Sequence, residues 1–493
     1  MSGEREKVGR TIHKSLFRHT KRPAPNLSGS VNIKNATFEA LLAAFDRWPQ
    51  GLLARLSIEC RFGRPMRLLS ALSLACSSIL VAATNPNIVL INVDDLGYAD
   101  ISPFGGKVST PHLDRMAKEG MKLSSHYAAP VCSPSRAAMM TGCYPKRVLP
   151  IPGVLFPAGA VGLHPAEVTV AEVLKQSGYA TACIGKWGQL PGEPGDHGFD
   201  DWLRFNGSGV YRNVPGDKPE RYSLNGDDKK LDEGEYMPDM CQERVVKFIR
   251  KHRDEPFFVY YPMSHVHGEL MPTPDSAAGS TDLMADNIAY MDKLVGQLIA
   301  ELDTLKLREN TLIIFMGDNG TGKGMADRAT IGGKVPSGMK GTMLECGGLV
   351  PMIASWPAKA PAGRVCADLI DSTDFVTTFA ELAGAELPAG MVFDGHSLTP
   401  KLLGDSAKPR AWVFNQLARM WYVREAQWKL NEKGELFDMS GAPFTETLVT
   451  NDSEISKAAR QRLQAVLAEL NPAGGILDQG DGSGRHANKE KKK

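Results

Sequence analysis

Short apolar runs alternate with amphipathic helical patterns from Asn87 onward, and this alternation constrains the fold more than any other feature of the chain. Residues 87–93 (NIVLINV) are β-branched and almost continuously apolar, as a strand buried on both faces should be. Further strands are predicted at residues 179–184, 257–261 and 311–316. The pattern predicts an α/β fold, with a large mostly parallel (mixed) sheet sandwiched by helices.

Two helices in this part of the chain are marked by their sequence. Thr110-Pro111 is typical of a cap and first helical residue, and that helix should end before Gly120. Between the last two predicted strands, six apolar residues recur at helical spacing on one face: Ile288, Met291, Val295, Leu298, Leu302 and Leu305.

The sequence changes character after Leu403. Residues 404–409 (GDSAKP) are typical of a linker, and short strand-like segments follow, closed by a helix near residues 454–470. The strand-like segments are residues 411–415, 421–424 and 428–431. We therefore predict a large α/β domain at 86–405, a smaller C-terminal α+β domain with an antiparallel sheet at 406–473, and a disordered basic tail at 474–493.

Residues 66–83 combine a basic start, an apolar middle and a small-residue end, which is typical of a secretory signal peptide. A short buried helix or a membrane anchor is the alternative, but the apolar run is too brief to span a bilayer comfortably. Because residues 1–65 precede this segment, we expect translation to start at Met66 and the extension to be a mis-called start. The protein would then be exported, either periplasmic or secreted, with a lipid anchor at Cys76 as the weaker alternative.

The composition favours a globular protein with a small-molecule partner. Hydrophobic residues make up 42% of the chain and its formal net charge is only +1, so no global field attracts nucleic acid or an anionic membrane. The eight cysteines include no C-x-x-C pair, which argues against a zinc ribbon or a thioredoxin-type motif and leaves disulfide pairing open.

Polar residues follow each predicted strand, where open parallel sheets bind their ligands. They are Asp94 and Asp95 after the first strand, Lys186 after the second, His265 and His267 after the third, and Asp318 and Asn319 after the fourth. An Asp-Asp pair alone is more often a turn or a helix cap than a ligand. Two carboxylate-bearing strand ends with cationic neighbours favour a site for calcium or magnesium over one for zinc.

The segment Cys132-Ser133-Pro134-Ser135-Arg136 is the sharpest chemical signal. Ser133 can cap a helix and Pro134 can begin it, which would bring residue 132 to a helix N-terminus that favours an anion. Arg136, one turn later, adds a guanidinium group. An unmodified Cys132 there could be a thiolate nucleophile or, alternatively, a buried structural cysteine.

Cys-x-Pro-x-Arg followed by a helix of small residues resembles the motif of the type I, formylglycine-dependent sulfatases, which are arylsulfatase-like members of the alkaline phosphatase superfamily. The resemblance extends from about Asn87 to about Asp438. Its landmarks occur in the family's order: NIVLINVDDLGYAD from Asn87, TPHLDRMAKEG from Thr110, CSPSRAAMMTG from Cys132, GYATACIGKW from Gly178, PFFVYYP from Pro256, TLIIFMGDNG from Thr311 and KGTMLE from Lys340.

This resemblance implies the roles of the site residues. A separate maturation enzyme would oxidise Cys132 to formylglycine, the nucleophile, and Arg136 would hold it. Lys186 and Lys340 would bind the sulfate oxygens, and His267 would face the leaving-group oxygen. One calcium (or magnesium) ion would be bound by Asp94, Asp95, Asp318, Asn319 and the modified residue 132.

The sequence departs from the family at two positions. Relatives commonly carry a His directly after Gly-Lys-Trp, where this chain has Gly188, so the base that helps to expel sulfate is unassigned. Our hypothesis is that His265 or a water substitutes, with a structural histidine as the alternative for His265. Leu349 stands where relatives often have Arg, and we expect that change to affect packing or substrate contact more than chemistry.

The predicted function is hydrolysis of a sulfate monoester, with a sulfated carbohydrate as the expected substrate. An anionic ester is attacked slowly, so a cation and two lysines must neutralise charge in the transition state. A hydrated aldehyde has a second hydroxyl whose deprotonation can expel sulfate, which an ordinary serine lacks. The alternatives are a phosphomonoester or phosphonate ester hydrolase of the same superfamily, an inactive sulfatase-like binding protein and, more distantly, a Cys-thiolate phosphatase.

Overall fold

The computed structural model describes residues 85–474, except 151–152, 156–161, 189–191, 206 and 208. The described residues belong to one compact unit. The extension at 1–65, the signal-like segment at 66–83, Cys76 and the tail beyond residue 474 lie outside the described residues, so the predictions about them stay predictions. In the described part of the chain, no helix has both the length and the apolar character that a membrane crossing requires.

A ten-stranded mixed sheet forms the centre of the fold. In spatial order its strands are β12 (Arg364–Cys366), β2 (Met121–Leu123), β11 (Met352–Ser355), β9 (Thr311–Gly317), β1 (Asn87–Val93), β8 (Phe257–Met263), β4 (Ala180–Lys186), β5 (Asp201–Phe205), β6 (Arg221–Leu224) and β7 (Asp227–Lys230). The five strands from β9 to β5 are parallel, whereas β11 on one side and β6 and β7 on the other are antiparallel to their neighbours. The predicted mostly parallel, mixed sheet is therefore confirmed.

Helices cover both faces of this sheet. The α-helices of the described chain, not all of which contact this sheet, are α1 (Pro111–Glu119), α2 (Cys132–Thr141), α3 (Pro145–Val148), α4 (Val170–Lys175), α5 (Met237–Lys251), α6 (Leu283–Thr304), α7 (Glu345–Gly348), α8 (Asp374–Ala383), α9 (Thr399–Leu403) and α10 (Glu454–Leu470). Alternate residues of β1 enter two different cores: Val89 and Ile91 pack with α1, α5 and α6, whereas Ile88 and Leu90 pack with α2, α4 and α8. A strand buried on both faces must be apolar throughout, as β1 is.

Two smaller sheets complete the described structure. One consists of β10 (Leu349–Val350), β3 (His126–Tyr127) and β13 (Ile370–Asp371). The other is an antiparallel sheet of β14 (Val413–Leu417), β15 (Met420–Arg424), β16 (Trp428–Asn431), β17 (Leu436–Asp438) and β18 (Thr447–Leu448), against which α10 packs. This C-terminal sheet is the predicted one, but the boundary between residues 405 and 406 stays a prediction.

Most predicted elements have the expected bounds, but β14 spans residues 413–417 and not 411–415, and two further corrections are needed. The strands predicted at 179–184 and 257–261 continue to Lys186 and Met263. Lys186 is therefore the last residue of its strand, and His265 follows the end of its strand by two residues. The assignment of Ser133 as a cap was wrong: α2 begins at Cys132 after the extended residue Val131, and the Ser133 hydroxyl accepts a hydrogen bond from the Leu155 amide. Residue 132 nevertheless lies at the helix N-terminus.

Candidate active site

The carboxyl ends of β1, β4, β8 and β9 bring the predicted polar residues together in a buried cluster. The first two acids follow β1 directly, and Asp94 is fully buried while Asp95 is 4% exposed. Asp318 follows β9 and accepts a hydrogen bond from the Asp95 amide at 3.1 Å. This bond joins the two carboxylate-bearing strand ends, as parallel neighbours allow.

Two lysines contact these acids. The Lys186 ammonium group, at the end of β4, lies 2.5 Å from Asp94 Oδ2. Lys340 comes from a loop and lies 2.6 Å from Asp95 Oδ1. Burial lowers the pKa of Lys186, but Asp94 and then Cys132 raise it more, so its pKa is raised overall. Burial also lowers the pKa of Lys340, but Asp95 and Asp94 raise it more, so both lysines are charged at neutral pH and close to Cys132.

Arg136 lies beneath the cluster and is fully buried. Its Nε and Nη2 donate to Asp318 Oδ2 at 3.0 and 2.7 Å, and its Nη1 donates to the Lys186 carbonyl at 2.7 Å. A guanidinium group shared between two strand ends fixes their relative position. The start of α2 therefore carries both the motif cysteine and the arginine that joins it to the sheet.

The three carboxylates influence one another. Burial and the neighbouring Asp94 raise the pKa of Asp318 to about 6, and the same two causes raise the pKa of Asp95. Burial also raises the pKa of Asp94, but Lys186 and His267 lower it more, so its pKa lies well below the usual range. Three acids crowded in a desolvated cluster are stable as anions only with positive charge beside them.

Two acceptor oxygens in this cluster accept no hydrogen bond, although one of them, on Asp94, lies 3.5 Å from Arg136 Nη2 in an ion pair. They are Asp94 Oδ1 and Asn319 Oδ1, and both are buried. The Asn319 amide nitrogen donates to Asp95 Oδ1 at 2.9 Å, which turns its oxygen away from that carboxylate. Ligand atoms of Asp94, Asp95 and His267 lie within 4.8 Å of one another. Carboxylate and amide oxygens in this number suit a hard divalent cation.

The two histidines after β8 have different surroundings. His267 lines an open cleft, is partly exposed, and has its Nε2 3.6 Å from Asp95 Oδ2. Burial lowers its pKa to about 4. His265 is fully buried, its ring packs against Tyr211 and Tyr290 at centroid distances of 6.0 and 6.2 Å, and neither ring nitrogen has a hydrogen-bond partner. These are the surroundings of a packed side chain, so the catalytic role of His265 stays a prediction.

The two departures from the family lie in different places. Gly188 lies against the aliphatic part of the Arg136 side chain. A Cβ added to Gly188 would be 3.1 Å from Arg136 Cδ. The φ of +72° at Gly188 also strains any residue except glycine. Leu349 is 5% exposed and packs with Tyr127 and Val413, which agrees with a packing effect.

A cleft of about 610 Å³ opens over the cluster. The predicted residues in its lining are Asp95, His267 and Lys340, and the remaining lining residues were not predicted from the sequence. Those are Val131, Val154, Gly268, Leu270, Gly322, Lys323, Gly324, Met325 and Gly341. The sequence Gly-Lys-Gly at 322–324, shortly after the polar residues that follow β9, could have indicated that this loop lines the cleft.

The described residues of the polar segment at 204–236 do not line this cleft. The segment forms the edge hairpin of β6 and β7, and Tyr211 donates hydrogen bonds to the carbonyls of Ser264 and His267 at 3.1 and 3.0 Å. The segment therefore supports the backbone of His267 from behind.

Comparisons with known proteins agree with this arrangement. The sulfatase family model matches residues 86–385. Human arylsulfatase A is 35% identical over 380 residues, covering 71% of this chain and 74% of its own. The N-acetylgalactosamine-6-O-sulfatase of Bacteroides thetaiotaomicron is 29% identical over 425 residues, covering 71% and 83% respectively. The crystal structure of Ps i-CgsB in complex with k-i-k-neocarrahexaose is 27% identical, with a TM-score of 0.69 over 83% of this chain and 96% of its own. The chain therefore belongs to the sulfatase family, whose members hydrolyse sulfate esters.

Proposed function

We propose that this protein hydrolyses the sulfate monoester of a carbohydrate, using an aldehyde derived from Cys132 and one divalent cation, calcium or magnesium. The observation that carries the proposal is the cluster of buried carboxylates, cations and donorless oxygens beside the N-terminus of the helix that begins at Cys132. A maturation enzyme that oxidises the cysteine is the partner that this chemistry requires.

The residues present fit a divalent cation. Three carboxylates and three cationic side chains give the cluster a formal charge of zero when all are ionised, which offers no net attraction for an anionic ester. A divalent cation would add two positive charges. It would be held by Asp94, Asp95, Asp318 and Asn319, whose oxygens include the two without a donor.

The proposed reaction uses two groups that the unmodified chain lacks, the cation and the aldehyde, together with the chain's own side chains. The cation supplies Lewis acidity, and the aldehyde made from Cys132 supplies, once hydrated, a nucleophilic hydroxyl. Lys186 and Lys340 would bind the sulfate oxygens, because both are cationic and close to Cys132. His267 would donate a hydrogen bond to the leaving-group oxygen from the wall of the cleft. Arg136 would hold residue 132 in position through its contacts with Asp318.

A carbohydrate substrate is supported by the relatives. The name of human arylsulfatase A does not indicate a carbohydrate substrate. The N-acetylgalactosamine-6-O-sulfatase is named for a sugar, and the neocarrahexaose complex contains one. The cleft is open and wide enough for at least one sugar ring beyond the sulfate.

The decisive experiment combines mass spectrometry of the peptide containing residue 132 with turnover of an aryl sulfate, on protein made with a formylglycine-generating enzyme. We expect the thiol to be replaced by an aldehyde and Cys132→Ala to abolish turnover. Cys366→Ala is the matched control, because this half-buried cysteine lies on β12 outside the cluster, and it should retain both. An unmodified Cys132 beside a competent maturase, with no sulfate release, would contradict the proposal.

A phosphate ester hydrolase is separated from a sulfatase by substrate pairs. We expect the aryl sulfate to have a much larger kcat/KM than the aryl phosphate with the same leaving group. The reverse ratio would assign the chain to the phosphoester hydrolases of the superfamily.

A further inference from the structure

Lys323 is the one cation lining the cleft that has no acidic partner among the described residues. Lys340 is paired with Asp95, whereas Lys323 is exposed and makes no hydrogen bond or ion pair in the part of the chain that the structure describes. An unpaired lysine at the wall of a binding cleft is available to an anion on the ligand.

The position of Lys323 is close to the reacting groups but separate from them. A Cβ added to the preceding residue, Gly322, would lie 3.3 Å from Asp95 Oδ2. The Lys323 stem passes across Gly341, with its Cε 3.9 Å from where a Cβ would stand there. The lysine therefore lies beside Lys340, on the solvent side of the cluster.

The other side chains that line the wall of the cleft, among the described residues, are apolar. Val131, Val154, Leu270 and Met325 line it around the polar floor. Such a wall can pack against the face of a ring but offers no partner to a charged substituent. A second anionic group on the substrate would therefore be bound at Lys323.

We propose that Lys323 binds a second acidic group on the substrate, a carboxylate or a further sulfate on the leaving sugar, and so selects polyanionic sulfate esters. This inference deepens the proposed function and rests on it for the identity of the first sulfate. Lys323 is a specificity residue here, since the sulfate that is cleaved would be bound by Lys186 and Lys340.

The test compares matched substrates on the fully matured protein. One is 4-nitrophenyl sulfate, and the others are the same ester with a ring carboxylate or with a second, non-hydrolysed sulfonate. We expect Lys323→Ala to raise KM about tenfold for both dianionic esters with kcat little changed, and Lys323→Arg to restore it. KM for 4-nitrophenyl sulfate should change by less than about twofold. The carboxylate and sulfonate arms show which anion the lysine prefers.

Lys359→Ala controls for the loss of one positive charge, because Lys359 is exposed and does not line the cleft. Equal KM changes for the singly and doubly charged esters, or the same change in Lys359→Ala, would overturn the inference. Calorimetric binding of the desulfated products, with and without the ring carboxylate, gives a second measurement that needs no turnover. If the acidic product binds wild type no better than the neutral one, the inference is wrong even where sulfatase activity is intact. If the preference is present and depends on Lys323 but no sulfate is released, the proposed mechanism fails and the inference stands.

Discussion

Two of the buried clusters of charged side chains in the described structure differ in which of their atoms lack hydrogen-bond partners. In the candidate active site the buried atoms without a hydrogen-bond partner include acceptor oxygens of Asp94 and Asn319. In the second cluster, around Asp374 and Arg410, the unpartnered atoms are on the donor side, at Arg410 Nε and the Tyr144 hydroxyl.

The carboxylates of the second cluster are bound from within the fold. Asp374 accepts hydrogen bonds from the amides of Asp371 and His396 at 3.0 and 2.7 Å, as well as from Arg410. Asp394 is bound by Arg147 Nε at 2.9 Å. Such a cluster stabilises a fold, whereas donorless oxygens at strand ends indicate a site for a cation. The difference gives four predictions, from the largest expected effect to the smallest.

Breaking the second cluster should cost stability and spare catalysis. Arg410→Met leaves the buried Asp374 carboxylate without its cation, and we expect the free energy of unfolding to fall by about 3–5 kcal/mol. Urea unfolding followed by tryptophan fluorescence measures the loss, and kcat is measured where the variant is still folded. An unchanged unfolding midpoint, or lost turnover in folded protein, would show that the two clusters do not differ in this way.

Breaking the active-site cluster should have the opposite result. Asp95→Asn keeps the shape of the side chain but removes one of three crowded negative charges, so the stability of the metal-free protein should change little. We expect kcat/KM to fall about 10²–10³-fold and the bound metal, measured by elemental analysis, to be lost. Asp405→Asn, at an exposed acid outside the site, is the control and should leave both unchanged. Retained metal in Asp95→Asn would remove this residue from the ligand set.

Removing the cation should distinguish the clusters without any substrate. A ligand present at 100 times its dissociation constant contributes about 2.7 kcal/mol, so a chelator should lower the Tm of wild type by about 3 °C. Arg410→Met should show the same shift from its lower starting point, and Asp95→Asn should show none. Differential scanning fluorimetry makes the measurement, and equal shifts in all three proteins would place the cation elsewhere.

The sequence predicted the parts of the fold that depend on local pattern. β1 is almost continuously apolar because both of its faces are buried, so its bounds could be predicted from the position of the apolar run. The helix predicted near residues 454–470 has those bounds, and in the structure Ser453 caps it by accepting a hydrogen bond from the Ser456 amide. Side-chain clustering at the carboxyl ends of parallel strands follows from the topology, so the acids and Lys186 were found together as expected.

Contacts between distant segments could not be predicted in this way. The cleft wall combines Val154, Leu270 and Met325 from three loops. The periodicity of apolar residues does not show which loops contact each other in the folded chain. The cap of α2 was assigned wrongly because Ser133 is a good capping residue by type, while its hydroxyl is used by Leu155 instead. The surroundings of His265 could not be predicted either, because a histidine two residues from a cleft histidine can point either into the cleft or into the core.

His265 therefore gives the smallest expected effect and the sharpest test of what its burial means. Replacing a buried ring whose two nitrogens have no partner by an apolar ring is close to neutral, so His265→Phe should change the free energy of unfolding by less than about 1 kcal/mol. We expect kcat to stay within about threefold of wild type, since Tyr211 and Tyr290 enclose the ring in the core. Steady-state kinetics and urea unfolding of the same preparation measure both. If turnover instead drops by about two orders of magnitude at an unchanged unfolding midpoint, His265 is the base that Gly188 leaves unassigned, and packing does not explain its burial.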